Sequence, residues 1–268
     1  MPYKHAHWYL LALFPLAAFA FWPGYLSSIG SASVEMHAHG ISATLWLMLL
    51  VAQSLTIRRH DRGLHRTLGT ASLVLFPLFL VGGAGIFFGM ADRFVAGSPF
   101  HAMYAPRLAW LDVVSVVGFA YFYYQALRLR AKVHPHSRYM LATAIFLLPP
   151  IFGRLMAIPL GVRGPEDFHK LGTGFQVANL LIAALAFFLA WRSGRHGRPW
   201  AEAGGLTLLA AMLFEVPGGL AGWRELYALF AGQPALPFAL AAGIAGIGIA
   251  YAGWIAGRRP VPTGAVPA

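Results

Sequence analysis

The sequence contains no cysteine, which excludes disulfide bonds, thiolate metal sites and cysteine nucleophiles. Charged residues are also scarce, since they make up 11% of the chain, whereas soluble domains carry about 25%. Acidic residues number only nine. A chain with so few charged side chains cannot present a polar surface to water. A soluble domain is therefore excluded, and a lipid bilayer is the natural solvent.

Apolar residues are correspondingly abundant in the chain. Hydrophobic residues make up 58% of the chain and the mean hydropathy is +0.63. Since about 20 helical residues cross a hydrocarbon core of about 30 Å, we predict an all-α, polytopic helical bundle that forms a single transmembrane domain over residues 1–257. The tail, residues 258–268, is predicted to be disordered. The eight predicted crossings are residues 7–28, 38–57, 67–90, 104–127, 139–160, 171–191, 204–222 and 236–256.

The basic residues divide unevenly between the two ends of these helices. Six Lys and Arg side chains lie at one end: Arg93, Arg107, Arg154, Arg163, Lys170 and Arg224. The other fourteen lie in short loops and termini at the opposite end. The positive-inside rule places this richer end in the cytoplasm, so both termini are cytoplasmic and the number of crossings is even. The net charge of +11 then reflects orientation in a bacterial-type inner (plasma) membrane rather than binding of nucleic acid.

Prolines and glycines predict how the helices bend and pack. Prolines inside the runs tend to kink helices, and small residues allow close helix contact. The prolines are Pro15, Pro77, Pro149, Pro150 and Pro217, and the glycines are Gly85, Gly89, Gly243, Gly246 and Gly248.

Several polar side chains fall at one depth, roughly 8 to 12 Å below the outer boundary at about 1.5 Å per residue. Because an isolated charge in hydrocarbon is costly, we expect Asp112 and Arg154 to meet. The group either holds the helices together or lines a polar pocket that opens outward. Its members are Asp112, Arg154, Gln176, Asn179 and Glu215.

Four consecutive predicted helices begin near a histidine. His39 and His101 mark outer ends, and His65 and His136 mark inner ends. A bis-histidine haem b takes one imidazole from each of two helices at similar depth, so these two pairs predict one haem site at each end. Gly69, one turn after His65, would leave room for a flat ring.

The outer histidines also have a second interpretation, as ligands of zinc or copper. Glu35 or Asp167 would then supply a carboxylate. The histidines of this set are His37, His39, His101 and His169.

Two motifs resemble those of known membrane families. Residues 64–69, LHRTLG, are similar to the signature of histidine, a small or polar residue and glycine that begins a helix in the cytochrome b561 family of transmembrane haem electron carriers. The helix start HRTLG at residues 65–69, followed by HSRYM at residues 136–140 and by Arg154, resembles motifs of an uncharacterised family of predicted bacterial membrane proteins. The resemblance covers residues 37–156 and implies a four-helix core at 37–160. It also implies that Arg66 and Arg154 neutralise haem propionates or quinone oxygens.

Four functions stay open at this point. The first is a b-type haem electron carrier that acts with a quinone or another small redox partner. The second is a transporter or channel that uses the outer polar pocket for a small solute or proton. The third is a non-haem metal enzyme or metal carrier, and the fourth is a structural or assembly subunit.

The charge distribution makes a prediction about topology. Reporter domains fused after residues 62, 132 and 196 should all report a cytoplasmic location, because each lies in an arginine-rich loop. A periplasmic signal at any of the three positions would contradict the orientation.

Overall fold

A computed structural model describes residues 3–258, of which the great majority are helical and none is in a strand. This confirms the prediction of an all-α chain. The predicted disorder of the tail concerns residues that lie almost entirely outside the described range. The α-helices are Ala6–Phe21 (α1), Val34–Arg58 (α2), Arg62–Val95 (α3), Pro99–Arg128 (α4), Val133–Ala142 (α5), Leu148–Leu155 (α6), Leu171–Ser193 (α7), Arg198–Glu215 (α8), Ala221–Ala228 (α9) and Ala235–Ala256 (α10).

Five of these helices are long and apolar enough to cross a membrane: α2, α3, α4, α7 and α10. The helices α8 and α9 are bent by 89° relative to each other. If these two helices are counted as one crossing, the number of crossings is six. Several apolar helices of this length confirm the prediction of a multi-pass membrane protein, because lipid offers the backbone no hydrogen-bond partners other than its own. The count of eight crossings stays a prediction.

The remaining predicted runs form shorter helical pieces. The first run contains α1, which has 16 residues. The run at 139–160 is divided into α5, a 3-10 turn at Thr143–Leu147, and α6. Pro149 and Pro150 explain this division, because neither has an N–H to donate to the carbonyls of the preceding turn. The helix α9 lies in a stretch that the sequence pattern had left between crossings.

The helices pack in a closed order around the bundle. Around the bundle, each helix contacts the next in the order α1, α2, α3, α4, α8, α7 and α6, and α6 contacts α1 again. The remaining long helix, α10, packs against α3 and α4. α5 and the following 3-10 turn pack on α4, but α6 packs on α7 and α1. The chain therefore moves away from α4 at the proline pair.

Close approaches between helices occur at glycines. A Cβ atom on Gly82 would lie 2.7 Å from the Cα atom of His39, and one on Gly246 would lie 2.9 Å from the Cα atom of Pro77. At Gly85 a Cβ would lie 2.9 Å from Glu35, whereas Gly89 has nothing within 4 Å. Gly82, which the sequence pattern did not single out, thus makes the tightest contact between α2 and α3.

Substitution of Gly82 should separate these two helices. We expect Gly82→Ala to lower the free energy of unfolding by about 1–3 kcal/mol, because the new methyl group meets backbone that cannot turn aside. Thermal or denaturant unfolding of the detergent-solubilised protein measures the change. The matched control, Gly89→Ala, lies two turns further along α3 in open space and should not destabilise the protein. Equal stability of the two variants would contradict the packing.

Candidate functional site

The inner histidine pair lies where α3 and α5 begin. His65 and His136 are each the fourth residue of their helix, and the centres of their rings are 6.4 Å apart with an angle of 87° between the planes. Both side chains are half-buried. The structure thus brings together the two residues that the sequence pairs at the inner end.

Hydrogen bonding determines which ring nitrogen of His136 is free to bind a metal. The Nδ1 atom lies 2.8 Å from the carbonyl oxygen of Ala126, and a carbonyl can only accept, so Nδ1 carries the proton. The Nε2 atom of His136 therefore keeps its lone pair, the arrangement in which a backbone carbonyl orients a metal-binding imidazole. On the other ring, the buried Nδ1 atom of His65 has no hydrogen-bond partner within the described residues.

The surroundings of the pair are formed by Gln53 and the first turns of α3. The Gln53 amide donates to the carbonyl oxygen of His65 at 3.2 Å, while its own Oε1 atom is buried and unpartnered among residues 3–258. A Cβ atom on Gly69 would lie 3.5 Å from Nε2 of Gln53. The space beside Gly69 is thus taken by a side chain held by a single hydrogen bond. Arg66 is exposed.

The outer histidines have separate partners. His37 contacts the Tyr25 hydroxyl at 2.9 Å, His101 contacts the Ser98 hydroxyl at 3.0 Å, and His169 donates to the carbonyl of Glu166 at 2.9 Å. Within residues 3–258, no three metal-binding side chains of His, Asp or Glu gather at one point.

His39 and Asp112 share surroundings with Arg154. The Arg154 side chain is exposed, donates to the carbonyl oxygen of Pro150 at 2.8 Å, and its guanidinium lies 4.4 Å from the centre of the Phe21 ring. Asp112 on α4 and His39 on α2 are half-buried and lie within electrostatic reach of Arg154.

The predicted polar group is divided in two. Asp112 and Arg154 form no direct ion pair, since the ion pairs of the described residues are three others. Glu215 instead pairs with Arg107 at 2.7 Å and accepts from Gln176 at 3.0 Å. Asn179 donates to the carbonyl of its own helix at Phe175.

An open cavity of about 540 Å³ lies at the end of the bundle that is predicted to face outward. Arg107 and Glu215 line it, together with Arg224, whose guanidinium donates to the carbonyl of Ala102 at 3.0 Å. The sequence identified Glu215 but not its two arginine neighbours, because both arginines lie near helix ends, where basic residues are common.

A continuous group of aromatic rings lies between the outer and inner histidines. The ring of His39 is 5.4 Å from Phe79, which is 4.6 Å from Phe119. Phe119 is 4.8 Å from Trp46, which is 5.3 Å from Tyr123. The middle of the bundle thus contains a packed aromatic core.

Comparisons with protein families, curated proteins and solved structures gave no significant match. The function of the chain therefore has to be inferred from its own residues.

The separation of Asp112 from Arg154 can be tested by a double-mutant cycle. Free energies of unfolding would be measured for Asp112→Asn, Arg154→Gln and the double variant. We expect a coupling energy below about 1 kcal/mol, as for exposed pairs, because the Arg154 side chain is exposed and forms no direct ion pair with Asp112. A coupling of about 3–5 kcal/mol would indicate a direct buried ion pair and contradict this geometry.

Proposed function

We propose that the chain is an inner-membrane protein that binds haem b between His65 and His136 and carries electrons. The observation that supports this best is the facing pair of imidazoles at the start of α3 and α5. A quinone or another small redox carrier is the proposed partner. The outer pair, His39 and His101, has no comparable ring contact among the described residues, and it is not part of the proposal.

The distance between the rings suits a shared iron atom. A metal–nitrogen bond to imidazole is about 2 Å and the nitrogen lies about 1 Å from the ring centre, so two imidazoles that hold one metal atom between them have centres roughly 6 Å apart. The observed separation is 6.4 Å. Two histidines would be enough to hold a haem b, and two imidazoles are what this site offers.

The other residues of the site have roles in holding the ligands. The carbonyl of Ala126 fixes the ring of His136 with Nε2 directed away from it. A planar cofactor requires the Gln53 side chain to turn away from Gly69, and a single hydrogen bond opposes this. A bound haem would accept and release one electron at a time. Arg66, exposed beside His65, is the proposed counter-charge of a propionate.

The proposed topology has eight crossings with both termini in the cytoplasm. The crossings would be α1, α2, α3, α4, α5 with α6, α7, α8 and α10. The contacts of α9 support a position at the outer end of the bundle: Arg224 donates to the carbonyl of Ala102, and the Tyr227 hydroxyl donates to that of Phe87. α8 then crosses alone, and α9 covers the outer ends of α3 and α4.

The visible spectrum of the purified protein tests the haem proposal. The wild-type protein, supplied with haem during expression, should show a Soret band that shifts on reduction. His65→Ala and His136→Ala should each abolish or strongly reduce haem bound per protein, because each removes one of the two imidazoles that would hold it. The measurement is haem content against protein content, together with oxidised and reduced spectra.

Two further variants serve as controls. His134→Ala removes an exposed histidine two residues from His136 that stacks on His196 instead, at 4.9 Å. His39→Ala removes a histidine of the outer pair, which is not part of the proposed haem site. Both should retain the haem. A wild-type protein that takes up no haem, or unchanged spectra in both ligand variants, would rule out the proposal.

A further inference from the structure

The open cavity of about 540 Å³ is formed where four helices meet. A polar side chain from each of the four lines it: Arg107 on α4, Thr173 on α7, Glu215 on α8 and Arg224 on α9. Ala126, at the inner histidine pair, lies nineteen residues after Arg107 on α4, which is about 28 Å along the helix. The cavity is therefore separate from the proposed haem site.

The bend between α8 and α9 fixes Arg224 at this cavity. α9 is turned by 89° from α8, and the indole N–H of Trp223 donates to the carbonyl oxygen of Pro106 on α4 at 2.7 Å. The Arg224 guanidinium donates to the carbonyl oxygen of Ala102 at 3.0 Å and lies 5.1 Å from the centre of the Phe94 ring. Neutral groups thus hold this charge in a defined position.

The charges at the cavity do not cancel. The Glu215 carboxylate pairs with Arg107 at 2.7 Å, whereas the half-buried Arg224 belongs to none of the ion pairs formed within residues 3–258. Among the described residues that line the cavity, two arginines therefore accompany one carboxylate. Because a charge removed from bulk water is costly without a partner, the surplus positive charge favours an anionic ligand.

Both guanidinium groups have hydrogen-bond donors left over. A guanidinium has five N–H donors, and within residues 3–258 each of these two side chains donates one hydrogen bond. The Nη2 atom of Arg107 lies beside Gly219, where a Cβ atom would be 3.2 Å away. The missing side chain leaves this nitrogen open to the cavity. The exposed Thr173 hydroxyl adds a donor from α7.

We infer that this cavity binds a phosphate monoester or inorganic phosphate, and that the phosphate belongs either to a small soluble molecule or to the headgroup of an anionic lipid. Such a group presents three strong acceptor oxygens around the phosphorus atom, which suits donors that come from α4, α7 and α9. A carboxylate has two oxygens in one plane, which a single arginine satisfies. Arginine is also the side chain whose planar fork best matches phosphate oxygens.

Ligand-dependent thermal unfolding of the detergent-solubilised protein, without added lipid, tests this inference. The probes are inorganic phosphate and malonate, which are compared at equal ionic strength in a buffer that contains no other phosphate or sulfate. Malonate has a comparable charge but carries it on planar carboxylates. Inorganic phosphate should raise the unfolding temperature with an affinity roughly tenfold or more above that of malonate, since the planar groups leave at least one charge-assisted hydrogen bond unmade.

Lipid added to the detergent micelles distinguishes the two sources of the phosphate. Phosphatidic acid is compared with phosphatidylcholine, whose headgroup has no net charge. If a lipid headgroup is the ligand, phosphatidic acid alone raises the unfolding temperature and leaves no further response to inorganic phosphate. If a soluble molecule is the ligand, the two lipids act alike and the response to inorganic phosphate persists.

Variants with opposite expected effects link the response to this cavity. Arg224→Gln should weaken phosphate binding roughly tenfold, because it removes a charge-assisted donor. Glu215→Gln keeps an acceptor oxygen for Arg107 but removes the negative charge, so it should bind phosphate roughly two- to fivefold more tightly. The matched control, Arg163→Gln, removes an exposed arginine that does not line the cavity and should respond like the wild type.

Three results would overturn the inference. They are the absence of stabilisation of the wild-type protein by inorganic phosphate, a malonate affinity equal to that for phosphate, and a wild-type phosphate affinity in Arg224→Gln. If Arg224→Gln does not fold, Glu215→Gln decides, because a folding defect cannot produce tighter binding. An unchanged phosphate affinity in Glu215→Gln would then count against the site.

Discussion

The hydrogen bond between Trp46 and Thr143 fixes the centre of the bundle. The fully buried indole N–H donates to the threonine hydroxyl at 3.0 Å and ties α2 to the turn between α5 and α6. His39 and Gln53 lie seven residues before and after Trp46, so all three occupy one face of α2. This face therefore contacts the aromatic core through His39 and Trp46, and it reaches the inner histidine pair through Gln53. Because the N–H is buried, losing its partner would leave an unsatisfied donor in the core.

The two ends of the bundle depend on this core in different ways. At the inner end, Tyr123 and Ser72 share a hydrogen bond of 2.7 Å that holds α4 against α3, and Ala126 lies one turn further along α4. The carbonyl that orients His136 is thus positioned by the packing of α4 on α3. At the other end, α6 packs on α7 and α1 rather than on α4.

Hydropathy and charge predicted the class of fold because lipid leaves the backbone few alternatives to helix. The pairing of His65 with His136 also followed from sequence, since both residues lie near the beginning of helices that start at the same end of the bundle. Depth alone did not predict the partner of Glu215. Residues at one depth still differ in direction around the helix axis, and on α4 it is Arg107 rather than Asp112 that contacts Glu215 on α8. No sequence pattern identified Gly82, because its importance comes from its close contact with the backbone at His39.

Arg154 illustrates how the bundle deals with a charge at this depth. An unpaired arginine in hydrocarbon costs at least about 2.5–3.5 kcal/mol, and a buried ion pair is one way to reduce that cost. Here the guanidinium instead keeps an accessible surface, one backbone partner and an aromatic ring. Arg154 is also the second-last residue of α6, and a long arginine side chain near a helix end can extend its guanidinium towards a polar boundary while its stem stays among apolar groups. The carbonyl, the ring and this position together stabilise the charge without a carboxylate partner, which agrees with the ion pairs of residues 3–258, since none of them joins Arg154 to Asp112.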